Sequence, residues 1–291
     1  MILDEIFARC KLDLARIKQE IPLQIMEQSA IQNAKFKPRN PQAVRNALRK
    51  NAKKLNIIAE VKKASPSKGV IRADFAPLKI ATNYAQNGAA AISVLTERHY
   101  FQGDLAYLRE ISENLSLQDG QSSLNSQNEL NLQSGQNPQN SQIPLLRKDF
   151  IFDEYQILQS LANGADFILL IARMFEKKEL LRLVEFTKSL NLEILCEIHS
   201  ELDLEKAVFA GVQIIGVNHR DLNDFSMDLR LCERLMPLMP KHALIVAESG
   251  LDDKNALLNL DALGVDAFLV GEHLMRQSDE GAALRNLIQR T

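Results

Sequence analysis

Two ionisable side chains, Glu60 and Lys62, stand at alternate positions where the apolar run Ile57-Ile58-Ala59 gives way to Ala64-Ser65-Pro66-Ser67-Lys68-Gly69. A β-favouring run that ends in a Ser/Pro/Gly cluster reads as a buried strand entering a turn. Side chains alternate between the two faces of a strand, so Glu60 and Lys62 point the same way and Val61 points oppositely. A carboxylate beside an ammonium at a strand tip is either a weak surface ion pair or part of an acid–base site. What else reaches the same place decides between them.

The pattern recurs along the chain. Apolar runs end in Leu146-Arg147-Lys148-Asp149, Leu195-Cys196-Glu197, Gly216-Val217-Asn218 and Val246-Ala247-Glu248-Ser249-Gly250. By the same alternation Lys148 shares a face with Leu146, Glu197 with Leu195 and Glu248 with Val246, while Arg147 falls on the opposite face. An architecture that gathers these tips brings together three carboxylates (Glu60, Glu197, Glu248), two ammoniums (Lys62, Lys148) and the amide of Asn218. Charges packed this way shift one another's proton affinities, which is what acid–base chemistry on a polar substrate requires.

The elements that carry these tips follow one rhythm. From Leu55 onward, strand-like and helix-like stretches alternate eight times. The strand candidates are Asn56–Val61, Ala90–Thr96, Pro144–Lys148, Asp166–Ile171, Glu193–Ile198, Gln213–Asn218, Leu244–Ser249 and Ala267–Gly271. Helical stretches such as Phe75–Asn87, Asp153–Ala162, Lys177–Leu190, Leu202–Ala210 and Lys254–Leu263 separate them, several closing on a glycine (Gly88, Gly164, Gly211, Gly264). The strand runs are apolar on both faces, as buried parallel strands must be. Eight β-then-α units predict an α/β fold of the TIM (β/α)8 type, whose strand ends surround one mouth. A doubly wound sheet is the alternative, but the glycine-rich turn that usually follows its first strand is missing from the sequence.

Residues 1–50 stand outside this repeat. Leu3, Ile6, Phe7, Cys10, Leu14, Ile17 and Ile21 recur at helical spacing, Pro22 interrupts them, and a short helix follows near Pro41–Lys50. The barrel then occupies 51–291, with a Ser/Asn/Gln/Gly-rich insertion at about 118–142. That stretch has too little apolar surface to order itself and reads as a mobile loop. Because it follows a helix and precedes a strand, it belongs to the face opposite the catalytic one.

Composition narrows the partners. A net charge of -2 gives no reason to expect nucleic acid or an anionic membrane, so any anion must be held locally. The N-terminus carries acids throughout and offers neither a signal peptide nor a membrane anchor. Cys10, Cys196 and Cys232 have no metal or redox spacing and read as reduced thiols in a cytoplasmic protein. The five histidines are scattered; His199, two residues past Glu197, has no neighbouring ligands that would make it part of a metal site. Ser249-Gly250 and Gly271-Glu272, after the last two strand candidates, place backbone N–H groups where barrel enzymes commonly hold phosphate, with Lys62 and Ser65 nearby; the glycines serve equally as plain turns.

The motifs IIAEVKKASPSKG, SVLTERHYFQGD, PLLRKDFIFDEYQI, LCEIHS, GVNHRDL, VAESG and FLVGEHLM occur in that order from about Asn56 to Met275. As a set, the sequence resembles the indole-3-glycerol-phosphate synthase family of tryptophan biosynthesis. The resemblance implies conversion of 1-(2-carboxyphenylamino)-1-deoxyribulose 5-phosphate to indole-3-glycerol phosphate with loss of CO2 and water, without metal or organic cofactor. It implies that the N-terminal extension lies over the mouth. At matching positions it makes Lys148 the principal general acid and Glu197 a general acid/base, with Lys62 and Glu60 binding charged ends and assisting proton transfer. Asn218 and Glu248 would hold hydroxyls and orient the lysines, with Arg220 and Ser249 as further binding residues and Gly250 and Gly271 in the phosphate loops. Which lysine drives which step stays open, and contacts with other pathway enzymes are not legible in the motifs. The polar insertion is the main departure from the family pattern. Two other readings stay in view: a Schiff-base aldolase acting on a phosphosugar through Lys148 or Lys62, and a noncatalytic phosphate-binding barrel.

Overall fold

The apolar runs form eight parallel strands that close on one another: β1 (Asn56–Val61), β2 (Ala91–Leu95), β3 (Leu145–Lys148), β4 (Phe167–Ile171), β5 (Glu193–Ile198), β6 (Ile214–Asn218), β7 (Leu244–Glu248) and β8 (Ala267–Val270). The structure, a computed structural model, describes residues 2–125, 142–221 and 224–290. Each strand pairs with its sequence neighbours, and β8 returns to β1 through Ala59 opposite Val270. This is the closed TIM barrel that the alternating pattern predicts. Period-two alternation divides the strand residues cleanly. Ile58, Leu146, Leu169, Leu195, Val246 and Leu269 fill the interior, while Ile57, Ala59, Ile168, Ile194, Cys196 and Phe268 pack beneath the helices.

The helices are α1 (Ile2–Glu20), α2 (Leu23–Phe36), α3 (Pro41–Leu48), α4 (Pro77–Gln86), α5 (Leu105–Asn125), α6 (Glu154–Ala162), α7 (Lys177–Ser189), α8 (Glu201–Phe209), α9 (Leu231–Leu235), α10 (Lys254–Leu263), α11 (Glu272–Met275) and α12 (Glu280–Ile288). Their starts are written locally: the side chains of Asp153, Ser200, Asp253 and Asp279 each accept a backbone N–H of the helix that follows. Gly88, Gly164, Gly211 and Gly264, just past four helix ends, all take positive φ.

The first 50 residues run the full height of the barrel. At the strand C-terminal end, α1 crosses the loops after β2 and β3: Phe7 meets Phe152 edge-on at 4.8 Å, Lys18 Nζ lies 2.7 Å from Asp153 Oδ2, and the His99 ring lies 2.5 Å from Asp13 Oδ2. Pro22 caps α2, which descends along α6. Lys37 then donates to Gly164 O and Asp166 Oδ2 at 3.0 and 2.8 Å, and Arg39 donates to Ala165 O and Leu161 O, all at the strand N-terminal end. Finally α3 plugs the floor with the buried Val44 and Leu48, and Arg45 pairs with Glu193 at the start of β5. Only α1 therefore lies over the strand-end loops.

That division separates two truncations. Deleting residues 1–21 removes α1 alone and should weaken substrate binding and turnover while the melting temperature stays within a few degrees. Deleting 1–40 also strips Lys37 and Arg39 from Asp166 and leaves a buried carboxylate without a cation, so stability should fall as well, by about 3 kcal/mol or more. Kinetics and thermal melts of both variants check this, and equal stability losses would contradict it.

The polar insertion is not a loop from its first residue. Extending an existing helix costs far less than starting one, and α5 continues through the Gln/Ser stretch to Asn125. The rest of the expected mobile loop, 126–141, lies outside the described residues.

Candidate active site

The strand tips open into one cavity of about 480 Å³, and Glu60, Lys62, Lys148, Glu197, Asn218 and Glu248 all line it. Lys148 Nζ sits between two carboxylates, 2.9 Å from Glu197 Oε2 and 2.7 Å from Glu248 Oε2. Lys62 Nζ meets Glu60 Oε1 at 2.6 Å. Asn218, opposite Glu248 in the β6–β7 ladder, accepts the backbone N–H of Arg220 on its own Oδ1 at 3.1 Å. Arg147 points the other way, under α6, as alternation requires: it donates to Gln156 O, Ser160 Oγ and Thr96 Oγ1 and pairs with Asp149 at 2.8 Å.

Burial and charge work against each other here. Burial by itself would strip the proton from Lys148, but Glu197, Glu248 and Glu60 outweigh it and hold the side chain firmly as an ammonium, well above the ordinary lysine range. Burial likewise pushes Glu197 up, yet the Lys148 ammonium overcomes it, with hydrogen bonds from Lys148 and Asn218 helping, and keeps this carboxyl ionised, down near 2. For Glu248 burial prevails: Lys148 opposes it, but Glu197 and Glu60 add to it, and the carboxyl rises to about 7. Two glutamates sharing one lysine are thus pulled in opposite directions, Glu197 toward the carboxylate and Glu248 toward the protonated acid.

This sets the pH dependence of stability. Glu248 is raised from 4.5 to about 7 in the folded chain, so its contribution is intact below about pH 4.5 and is lost as pH rises toward 7. Glu248→Gln removes that titration. The melting temperature of the variant relative to wild type should therefore move in the variant's favour between pH 5 and pH 8; a constant difference would contradict the assignment.

The cavity lining also includes Ser65, Arg220, Ser249, Gly250, Gly271 and Glu272. Ser249 and Gly250 both take positive φ, 66° and 68°, so the chain turns sharply after β7. The Glu272 side chain faces guanidinium groups: Oε1 lies 2.9 Å from Arg276 and Oε2 4.0 Å from Arg220. Gly271 has a steric duty apart from any turn. A Cβ there would stand 2.1 Å from Glu60 Oε1 and 2.9 Å from Lys62 Nζ, so its absence makes room for that ion pair. Gly216 does the same for Glu248, whose Oε1 lies 2.2 Å from where a Cβ would be. Sequence reasoning gave Gly216 no role, because only the packed barrel shows what faces it.

An apolar wall completes the cavity. Phe101 and Phe150, with ring centroids 6.3 Å apart, join Leu95, Leu169, Phe225 and Met227. Leu95 and Leu169 follow from strand alternation and Phe150 stands two residues past β3, whereas Phe101, six residues past β2, is brought to the wall by its loop. Buried Glu97 shapes this wall by accepting the backbone N–H groups of His99, Tyr100 and Phe101 at 2.7–3.0 Å.

Fold and site define the class: a (β/α)8-barrel enzyme with an acid–base cluster at the C-terminal mouth of its strands. The family model for indole-3-glycerol phosphate synthase matches residues 3–121 and 132–287. An indole-3-glycerol phosphate synthase of Campylobacter jejuni (strain RM1221) is 52% identical over 288 residues, covering 99% of this chain and 100% of that protein. The Campylobacter curvus protein of the same name is 50% identical, covering 99% of each chain. Among solved structures, 3-hexulose-6-phosphate synthase from Salmonella typhimurium superposes with a TM-score of 0.58 at 11% identity, over 80% of this chain and 96% of that one, a likeness of fold alone. The chain belongs to the indole-3-glycerol phosphate synthase family. It is a carboxy-lyase of tryptophan biosynthesis that acts on a phosphorylated small molecule. No helix among the described residues is long and apolar enough to cross a membrane.

Proposed function

We propose that Lys148 is the general acid of ring closure and Glu197 the acid/base of the dehydration that follows. The observation that carries this reading is the placement of Lys148 between Glu197 and Glu248 at one end of a cavity whose wall is apolar and aromatic. The aryl ring of 1-(2-carboxyphenylamino)-1-deoxyribulose 5-phosphate suits the wall of Phe101, Phe150 and Leu169. The sugar phosphate suits the side with Ser65, Arg220, Ser249-Gly250 and the Gly271-Glu272 backbone. The Glu272 carboxylate would repel phosphate, so its share is to hold Arg220 and Arg276 in place.

In the reaction, the aryl carbon bearing the carboxylate attacks the ketone carbon, and the ketone oxygen takes the Lys148 proton as its C–O double bond becomes single. An alkoxide is more basic than even a strongly stabilised ammonium, so the transfer runs downhill as the bond forms. Loss of CO2 leaves its electron pair in the ring and restores aromaticity. The new hydroxyl then departs as water while a neighbouring proton is removed, and Glu197, ionised at rest, is placed to take one proton and return another. Lys62, fixed by Glu60, neutralises the substrate's negative groups and assists proton transfer. Asn218 and Glu248 hold sugar hydroxyls, and Glu248 also orients Lys148.

A Schiff base on Lys148 would need a neutral amine, which the flanking carboxylates oppose. The three unpaired cysteines, two of them buried, support a cytoplasmic location, and a net charge of -2 gives no reason to expect nucleic acid or an anionic membrane as partner. Sodium cyanoborohydride, which near neutral pH reduces an iminium ion but spares a ketone, tests the chemistry when added during turnover: product should keep forming, with no reduced substrate–lysine adduct. A stable adduct on Lys148 or Lys62 would favour the aldolase reading instead.

A further inference from the structure

His199, one residue past β5, belongs to no motif role given so far. Its ring is buried, with the side chain 2% exposed, and Nε2 lies 3.4 Å from Oε1 of Glu197. Glu197 Oε2 is taken by Lys148 at 2.9 Å. Among the described residues, Glu197 Oε1 and both His199 ring nitrogens have no hydrogen-bond partner. A buried carboxylate oxygen and a buried ring therefore face each other, with the Asn218 side chain as the other neutral donor near the Glu197 carboxylate.

The backbone fixes this approach. Ser200 caps α8 by accepting the Asp203 N–H at 3.2 Å, and Asp203 Oδ2 accepts the His199 N–H at 3.0 Å, a reciprocal pair that locks the chain on both sides of the ring. The charged groups around the ring are Glu197, Arg173, Asp203 and Asp221. Burial first, helped by Arg173, keeps the imidazole below its ordinary range against the three carboxylates. A neutral ring has one N–H to give, and the geometry turns Nε2 toward Glu197.

We infer that His199 is a positioning residue for Glu197: its Nε2–H engages Oε1 while Lys148 holds Oε2, fixing the carboxylate plane and its ionisation for proton transfer. The inference rests on the catalytic reading of Glu197 given above. His199 touches the carboxylate and, being absent from the cavity lining, not the substrate.

Two polar substitutions separate this from a merely structural role. His199→Gln can place an amide N–H where Nε2 stands; His199→Asn stops one bond short. The test is kcat and KM against pH for wild type, His199→Gln, His199→Asn and Glu197→Gln. His199→Asn should lose roughly tenfold in kcat, a fraction of what a general acid/base supplies, with KM within about twofold. Its acid limb of kcat should move to higher pH by about half a unit or more, because Glu197 has lost a donor to its charged form. His199→Gln should restore both toward wild type. Asn and Gln variants that share the wild-type acid limb and kcat, or that lose activity equally without any movement of the limb, would overturn the inference. Glu197→Gln keeps failures apart. If it loses kcat while both His199 variants match wild type, only the positioning role falls; if it retains kcat, the reading of Glu197 falls with it.

Discussion

Lys148→Met should lower kcat by about 100-fold or more while the substrate still binds. Methionine keeps the aliphatic stem, so the cavity wall is preserved, but it has no proton to give. The structure adds a reason for the variant to fold. Removing the ammonium leaves Glu197 and Glu248 without their shared cation, and Glu248, already raised to about 7, can take up a proton and relieve the repulsion. The loss is then one of chemistry and not of structure. Steady-state product fluorescence gives kcat, and substrate titration gives binding; a near-native kcat would remove Lys148 from the mechanism.

Arg147→Met, one residue earlier, should do the reverse. The Arg147 guanidinium is buried against Asp149 and also donates to Thr96, Gln156 and Ser160, so its loss leaves a carboxylate that is only 9% exposed without its cation. Breaking a buried pair from one side costs about 3–5 kcal/mol, on the order of a 10 °C fall in melting temperature for a chain of this size. The folded fraction should keep kcat within a few-fold. A folded, thermally unchanged Arg147→Met protein that had lost turnover would invert the two faces of β3 and undo every assignment based on strand parity.

That parity explains why so much was legible beforehand. The period of two along β1, β3, β5 and β7 is a geometric necessity, so Glu60, Lys148, Glu197 and Glu248 could be placed on the inward face from spacing alone. The barrel was legible because eight apolar runs alternating with helices have few other ways to close. What stayed hidden depends on contacts between residues distant in sequence. Gly216 reads as an ordinary glycine, and Gly271 as part of a phosphate loop, until the carboxylates of Glu248 and Glu60 are seen beside them. Lys37 and Arg39 sit in a polar stretch that looks like linker, and only Asp166, more than 120 residues away, shows them to be a floor clamp. The sign of the Lys148 shift was equally hidden: burial and three carboxylates pull oppositely, and only the distances show that the carboxylates prevail. The extent of α5 was misjudged because composition speaks against starting a helix, not against prolonging one.

That the side chains of this one cavity carry ring closure, decarboxylation and dehydration is tested most directly by a single turnover. Wild-type protein, dialysed against a chelator and in excess over the carboxyphenylamino-deoxyribulose phosphate, is mixed and quenched, and CO2 and indole-3-glycerol phosphate are counted together. One CO2 and one indole product per substrate, at a rate unaffected by the chelator, is the predicted result. CO2 without indole product, or a rate that collapses after chelation and returns with added metal, would contradict it.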